Sequence, residues 1–121
     1  MNRWGFALYQ QQISGSSRLR FATYAGNTNI SEGSTVLTTG TWYHIVVTKS
    51  SNNSPKMYVN GLLETFNSQS GNTSINPSYQ SQNFPTLGVE YGVGSYYGYL
   101  NGRMDSITTW TKALTSDEVT Q

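Results

Sequence analysis

A chain of 121 residues has room for one domain with one hydrophobic core. Hydrophobic residues make up 36% and aromatic residues 13%, which excludes a disordered chain. Charged residues are only 11%, the net charge is +1 and no basic patch is visible, so we expect no nucleic-acid partner. Cysteine is absent, which excludes disulfides and thiol catalysis. No apolar run approaches the length of a membrane span, so we expect no membrane insertion.

The first half of the chain has the alternating pattern of β-strands. Apolar side chains recur at every second position in residues 4–9 and again in residues 18–25. Residues 35–39 are a candidate short strand. Residues 42–49 are apolar on both faces, which predicts a strand in the middle of a sandwich.

A hairpin follows, in which residues 56–60 and 62–66 form the two strands. Asn60 and Gly61 form its corner, because both central residues of a type I′ turn need a positive φ. Residues 67–82 are polar and predict a loop, or a loop that carries a short edge strand.

The last third of the chain ends in the only segment with a helical signal. Residues 84–89 are a candidate strand, residues 90–98 a Gly/Tyr-rich loop and residues 99–111 a long strand. Thr115 and Glu118 have the spacing of a capping box at the start of a short helix. Many short strands with almost no helix favour a sandwich or jelly roll.

Three segments together resemble the laminin-G-like jelly rolls of the concanavalin A-like lectin/glucanase superfamily. They are GTWYHIVVT in residues 40–48, MYVNG in residues 57–61, and GRMDSI followed by WTKALT in residues 102–115. The resemblance implies an all-β fold: a two-sheet antiparallel jelly-roll sandwich with one short C-terminal helix. We expect a single domain of this kind over residues 1–121.

Domains of this family usually run longer, with further strands at both ends. The predicted domain therefore lacks outer strands at one or both ends, and three alternatives stay open: a minimal fold, a truncated fold or a fold completed by another chain. Exposed sheet edges invite pairing, so a homo-oligomer formed through such edges is a further expectation.

The acidic residues do not have the spacing of a glycosidase site. Hydrolysis of a glycosidic bond needs two carboxylates roughly 5–10 Å apart, which on one strand means acids two or four residues apart. No two acids have that spacing, and the E-x-D-x-x-E arrangement of the superfamily's glucanases is missing. We therefore expect no enzyme activity. The acids are Glu32, Glu64, Glu90, Asp105, Asp117 and Glu118.

Two further residues are candidates for chemistry, and both favour a structural reading. His44 is the single histidine, and the resemblance places it on a central strand where its ring packs. Asp105 lies in the segment that resembles the family's terminal motif, and it could bind calcium as some laminin-G-like and pentraxin-like relatives do. Calcium takes six to eight oxygen ligands, usually from several carboxylates, and here the carboxylates are scattered. We expect no metal and no cofactor, with calcium as the alternative not favoured.

Tyrosines in the Gly-rich loop give the best candidate for ligand binding. Tyr91, Tyr96 and Tyr97 could stack on the flat C–H faces of a sugar while hydroxyl groups of the sugar pair with amides. Asn29 and Asn72 could supply such amides if their loops lie at the same end of the sandwich. These five residues form the predicted ligand-binding site.

The residues that follow the tyrosine loop are assigned to the core instead. The resemblance places Tyr99 as a packing aromatic, and the apolar pattern does the same for Met104, Ile107, Trp110 and Leu114.

The sequence thus predicts a non-catalytic carbohydrate-binding or surface-recognition module whose partner is a glycan or a cell-surface polymer. A structural or assembly domain of a phage or virion appendage is the alternative, because the surface is rich in Ser, Thr, Asn and Gly and poor in charge. A glycoside hydrolase relative is the third possibility. The expected location is extracellular or virion-associated.

Overall fold

The computed structural model describes residues 5–24, 27–50, 53–70, 86–92 and 95–120. Its described helix has four residues, and no described helix is long and apolar enough to cross a membrane. The strands of the described part are β1 (Phe6–Ile13), β2 (Ser16–Tyr24), β3 (Thr28–Val36), β4 (Ile45–Thr48), β5 (Lys56–Val59), β6 (Leu62–Leu63), β7 (Phe66–Gln69), β8 (Glu90–Gly92) and β9 (Ser95–Tyr97), and the helix is α1 (Ser116–Val119).

The strands form two main antiparallel sheets. The larger sheet has the order β1-β2-β3-β7, and the smaller sheet has the order β4-β5-β6. β8 and β9 pair only with each other among the described strands. The predicted all-β fold with two antiparallel sheets and one short C-terminal helix is confirmed.

The core lies between the larger and the smaller sheet. Leu19 and Phe21 of β2 and Met57 and Val59 of β5 are buried together there. Each pair is two residues apart in its strand, so both members point to the same face of their sheet. The residue between the β5 pair, Tyr58, therefore lies on the outer face of the smaller sheet.

The Asn60–Gly61 turn has the backbone that the sequence predicts. Asn60 has φ 52° and Gly61 has φ 79°, both in the left-handed region. Two hydrogen bonds join this turn to His44, the residue before β4. The His44 N–H donates to Asn60 Oδ1 at 2.9 Å, and the Asn60 N–H donates to the His44 carbonyl at 2.8 Å.

Two carboxylates stabilise β3. Glu32 is buried and accepts from Arg20 Nη2 at 2.8 Å and from Arg20 Nε at 3.0 Å, and this contact raises the pKa of Arg20. Glu64 accepts from the Thr35 N–H at 2.9 Å and from its hydroxyl at 2.6 Å, and so ties the end of β6 to β3. Both acids are thereby engaged in the fold.

Residues 99–111 do not form the predicted strand, and this is the main correction to the fold. The chain bends at residues 101–102, and Ser106 has φ 53°, a left-handed conformation that interrupts an extended strand. Among the described strands none pairs with this segment. Of the five predicted core residues here only Leu114 is half-buried, and the other four are exposed: Tyr99, Met104, Ile107 and Trp110.

Other boundaries also differ from those predicted. Of the strand expected over residues 42–49, the structure forms only β4. His44 precedes β4 and is exposed rather than packed, and Trp42 is 64% exposed. Of the strand expected over residues 35–39, residues 35 and 36 lie at the end of the longer β3, which pairs with β2 along most of its length, and residues 37–39 lie outside it.

Candidate functional site

α1 packs on the outer face of the smaller sheet. The Tyr58 hydroxyl, buried under the helix, lies 3.1 Å from Ser116 Oγ, and Val119 is buried beside it. Because a four-residue helix covers only the middle of that face, it leaves a groove on either side.

The first groove has a volume of about 420 Å³ and is rich in side-chain hydroxyls. We call it the hydroxyl groove. Its lining residues are Thr48, Ser50, Asn53, Ser54, Lys56, Ala113, Leu114, Thr115 and Ser116.

The floor of the hydroxyl groove is a cross-strand pair on the outer face of the smaller sheet. Thr48 of β4 lies directly opposite Lys56 of β5. Thr48 is buried while Lys56 is exposed. Among the described residues no ion pair involves Lys56, so its ammonium remains available to a ligand.

The turn between β4 and β5 forms one wall, and hydrogen bonds hold its shape. Lys49 Nζ donates to the Asn53 carbonyl at 2.8 Å and to the Ser50 carbonyl at 3.3 Å. Asn53 Nδ2 donates to Ser50 Oγ at 2.7 Å. Partial burial lowers the pKa of Lys49. Ser54 has no side-chain hydrogen bond to the described residues and is exposed on this wall.

The segment that leads into α1 forms the other wall, and the predicted capping box fixes it. The Thr115 N–H donates to Glu118 Oε2 at 2.8 Å, and the Glu118 N–H donates back to Thr115 Oγ1 at 3.4 Å. Lys112 also donates to the Glu118 carboxylate. The Lys112 ammonium first, and the Thr115 N–H second, lower the pKa of Glu118 to about 2.

The second groove lies at the other end of α1 and has a volume of about 440 Å³. His44 and Asn60 contribute polar groups here, but the backbone N–H and carbonyl of His44 already bond to the side-chain oxygen and the backbone N–H of Asn60. Leu62, 74% exposed, adds an apolar side. This groove offers fewer free hydrogen-bonding groups than the hydroxyl groove. Its described lining is His44, Asn60, Gly61, Leu62, Val119 and Thr120.

The described lining of the two grooves differs from that of a hydrolytic or metal site. No carboxylate is among the described residues that line them. The described part of the chain also contains no group of three His, Asp or Glu side chains that could hold a metal ion. Asp105 is exposed and accepts from the Ser106 hydroxyl at 3.3 Å. Among the described residues, the lining of the grooves thus consists of hydrogen-bonding and apolar groups without a pair of carboxylates.

The structure tests the predicted tyrosine site only at the level of the backbone. Where a loop was predicted, Glu90–Gly92 (β8) and Ser95–Tyr97 (β9) pair as antiparallel strands, with Tyr91 opposite Tyr96 and Tyr97 opposite Glu90. Tyrosine is common in strands, which is the signal that could have indicated the hairpin. The pairing brings Tyr91 and Tyr96 together as direct cross-strand neighbours.

The structure describes one of the two predicted asparagines. Asn29 lies on β3, and its Nδ2 donates to the Asn27 carbonyl at 3.2 Å. No hydrogen bond between described residues joins it to β8 or β9. Asn72 lies outside the described residues. The ligand role of the tyrosines and asparagines therefore stays a prediction.

The sequence analysis missed the hydroxyl groove. Its walls come from parts of the chain about 60 residues apart: Ser50, Asn53 and Ser54 between β4 and β5, and residues 113–116 at the start of α1. The available signal was the run of hydroxyl and amide residues after β4, which was interpreted only as a polar turn.

Comparisons with known proteins agree with the observed fold. A laminin-G family model described as the concanavalin A-like lectin/glucanases superfamily matches residues 2–120. A solved structure of an S-layer domain-containing protein from Clostridium thermocellum is similar, with a TM-score of 0.53 and 24% identity. The match covers 96% of this chain and 62% of that structure, so the chain corresponds to somewhat under two thirds of it. No curated protein is significantly similar to the chain.

Proposed function

Because the chain belongs to the concanavalin A-like lectin/glucanases superfamily, we propose that it is a non-catalytic module that binds carbohydrate, with the hydroxyl groove as its site. The observation that carries this proposal is the concentration of free polar groups between two fixed walls. Ser54 and Lys56 are exposed on the lining of one open groove, Thr48 is buried at its floor, and the turn and helix cap beside them are already held by hydrogen bonds.

The size and chemistry of the groove suit one or two sugar rings. Its volume of about 420 Å³ falls within the range of about 300–1,000 Å³ that is typical of small-molecule sites. Hydroxyl and ammonium groups match the hydroxyls of a sugar, which both donate and accept. Ala113 and Leu114 supply an apolar side against which the C–H face of a ring can pack.

The absence of catalysis is part of the proposal, and the positions of the acids support it. Glu32 pairs with Arg20, Glu64 is bound by Thr35, and Glu118 caps α1. None of these carboxylates lines the hydroxyl groove, whereas glycoside hydrolysis needs two across the scissile bond. We propose no cofactor and no calcium for the same reason, since calcium prefers several carboxylate oxygens.

We propose an extracellular or virion-associated location, in which the partner is a glycan or a cell-surface polymer. The similar S-layer domain-containing protein supports a place at a surface. That likeness also favours the second candidate, a structural or assembly domain. In that case the module would have little affinity for sugars and would form a defined assembly instead.

A glycan array of neutral and acidic oligosaccharides, followed by isothermal titration with the strongest oligosaccharide, tests the proposal. Ser54→Tyr fills the groove, and we expect it to weaken binding at least roughly thirtyfold. Lys56→Ala removes one charged hydrogen-bond donor and should weaken binding by roughly tenfold. Ser68→Tyr, the same change at an exposed position of β7 outside the groove, should leave binding unchanged.

The tyrosine hairpin provides the competing site. If the double variant Tyr91→Ala with Tyr96→Ala loses binding while Ser54→Tyr does not, the groove is the wrong site although the module still binds sugar. If no oligosaccharide binds the correctly folded protein, carbohydrate binding is wrong, and the assembly function takes its place.

A further inference from the structure

Two asparagines of the chain are each followed by glycine, at Asn60–Gly61 and at Asn101–Gly102. An Asn-Gly pair is prone to spontaneous deamidation, because glycine has no side chain to shield its nitrogen from the asparagine side chain. An aliphatic residue precedes each pair, Val59 or Leu100, so the two pairs should have similar intrinsic reactivity. Both asparagines are also exposed, so access to water does not separate them either.

The reaction requires that the asparagine side chain turn toward the peptide group that follows it. A base removes the proton of the glycine N–H, and the glycine nitrogen forms a bond to the asparagine Cγ. The bond between Cγ and the side-chain nitrogen breaks, and ammonia leaves. Water then opens the resulting succinimide ring at one of its two carbonyls, which yields aspartate or isoaspartate. Any contact that holds the side chain elsewhere therefore slows the reaction.

The fold holds Asn60 by its side chain and by its backbone. Its Oδ1 accepts from the His44 N–H at 2.9 Å, and its own N–H donates to the His44 carbonyl at 2.8 Å. The left-handed backbone of Asn60 and Gly61 belongs to the tight turn between β5 and β6. The side chain cannot turn toward the Gly61 nitrogen without breaking the bond to His44, so deamidation here must wait for a local opening.

Asn101 lies in a different setting. The chain bends at residues 101–102, both residues are exposed, and neither has a positive φ. The Leu100 N–H donates to the Gly88 carbonyl at 2.8 Å and so fixes the chain just before the pair. Among the described residues, none bonds to the Asn101 side chain or accepts from the Gly102 N–H. The side chain can therefore reach the reactive geometry without a local opening.

We propose that Asn101 is a modification site, where deamidation through a succinimide yields aspartate and isoaspartate while the β5–β6 turn protects Asn60. Either product adds one negative charge two residues before Arg103, which reduces the net charge from +1 to zero. Isoaspartate also lengthens the backbone between β9 and α1 by one carbon. The site does not depend on carbohydrate binding, since Asn101 is not among the residues that line the hydroxyl groove.

Peptide mapping of the folded protein during incubation at slightly alkaline pH measures both rates. Trypsin and a glutamate-specific protease, used at mildly acidic pH where deamidation is slow, place Asn60 in peptide 57–64 and Asn101 in peptide 91–103. We expect Asn101 to deamidate at least roughly tenfold faster than Asn60, because only Asn60 needs a local opening. Electron-transfer fragmentation distinguishes the two products, and both should form at position 101.

The unfolded chain and one variant are the controls. In guanidinium chloride the turn is lost, so the two asparagines should deamidate at rates within roughly threefold of each other. Gly102→Ala shields the nitrogen with a Cβ that would meet only the Leu100 side chain, at 3.7 Å, and should slow deamidation of Asn101 at least roughly fivefold while the rate at Asn60 stays unchanged. Equal rates in the folded protein, a faster reaction at Asn60, or aspartate without isoaspartate would each overturn the proposal.

Discussion

Glu118 holds the start of α1 through contacts with three groups. Its carboxylate accepts from the Thr115 N–H, from the Thr115 hydroxyl at 3.1 Å and from the Lys112 ammonium. Each contact favours the charged form, which is why the pKa of Glu118 falls from 4.5 to about 2. The helix cap, and with it one wall of the hydroxyl groove, therefore depends on a proton equilibrium.

Acid should loosen α1 before it unfolds the sheets. Because the pKa of Glu118 is lower in the folded chain, its stabilising contribution is present above pH 4.5 and is lost as the pH falls through about 2. The amide resonance of Val119, followed by NMR from pH 6 to pH 1.5, should shift with a midpoint near 2. Glu118→Gln should abolish that transition, and an unchanged transition in this variant would contradict the assignment.

At the scale of elements, the turns could be predicted from the sequence, but the strand pairing of residues 99–111 could not. The local backbone preferences of Asn60 and Gly61 were enough to predict their turn. The spacing of Thr115 and Glu118 was likewise enough to predict the helix cap. The apolar pattern of residues 99–111 records which side chains favour burial, but burial also needs a sheet to pack against. No described strand pairs with this segment, so the pattern alone could not predict its conformation.

Gly61→Ala tests how much the turn contributes. At φ 79° an alanine is strained, and its Cβ would also lie 3.6 Å from Thr120 Cγ2, so we expect a loss of about 1–2 kcal/mol in the free energy of unfolding. Gly102→Ala is the matched control, because Gly102 has no positive φ and its Cβ would meet only the Leu100 side chain at ordinary distance. Urea denaturation measures the free energy of unfolding of both variants. Equal losses in the two would show that alanine at position 61 is not strained.

At the scale of the whole molecule, the two sheets differ in extent. Phe6 and Leu8 of β1 lie opposite Thr23 and Phe21 of β2 and so share the face that carries the core, yet both are exposed. The larger sheet thus extends past the smaller one. The sequence predicted the sandwich from strand periodicity and the family motifs, whereas the hydroxyl groove depends on where distant segments meet, which periodicity does not specify.

The unequal sheets predict an unequal response to core truncation. Met57 is fully buried between the sheets, so Met57→Ala should lower the free energy of unfolding by about 2–5 kcal/mol. Leu8 is 44% exposed on the uncovered part of the same core face, and Leu8→Ala should cost less than about 1 kcal/mol. Thermal and urea unfolding, both followed by circular dichroism, measure the loss of stability in the two variants. A similar loss in both would mean that the uncovered face is packed in solution.

The way α1 is attached has a mechanical consequence. A side-chain hydrogen bond between Tyr58 and Ser116 and the burial of Val119 fasten the helix, whereas the strands are joined by ladders of backbone bonds. Tension applied through the residues after Val119 would therefore peel α1 away before either sheet yields, and it would remove one wall from each groove. In single-molecule pulling we expect a small, low-force extension step ahead of the main unfolding event. A module attached in this way would release its ligand under load and recover its site when the load is removed.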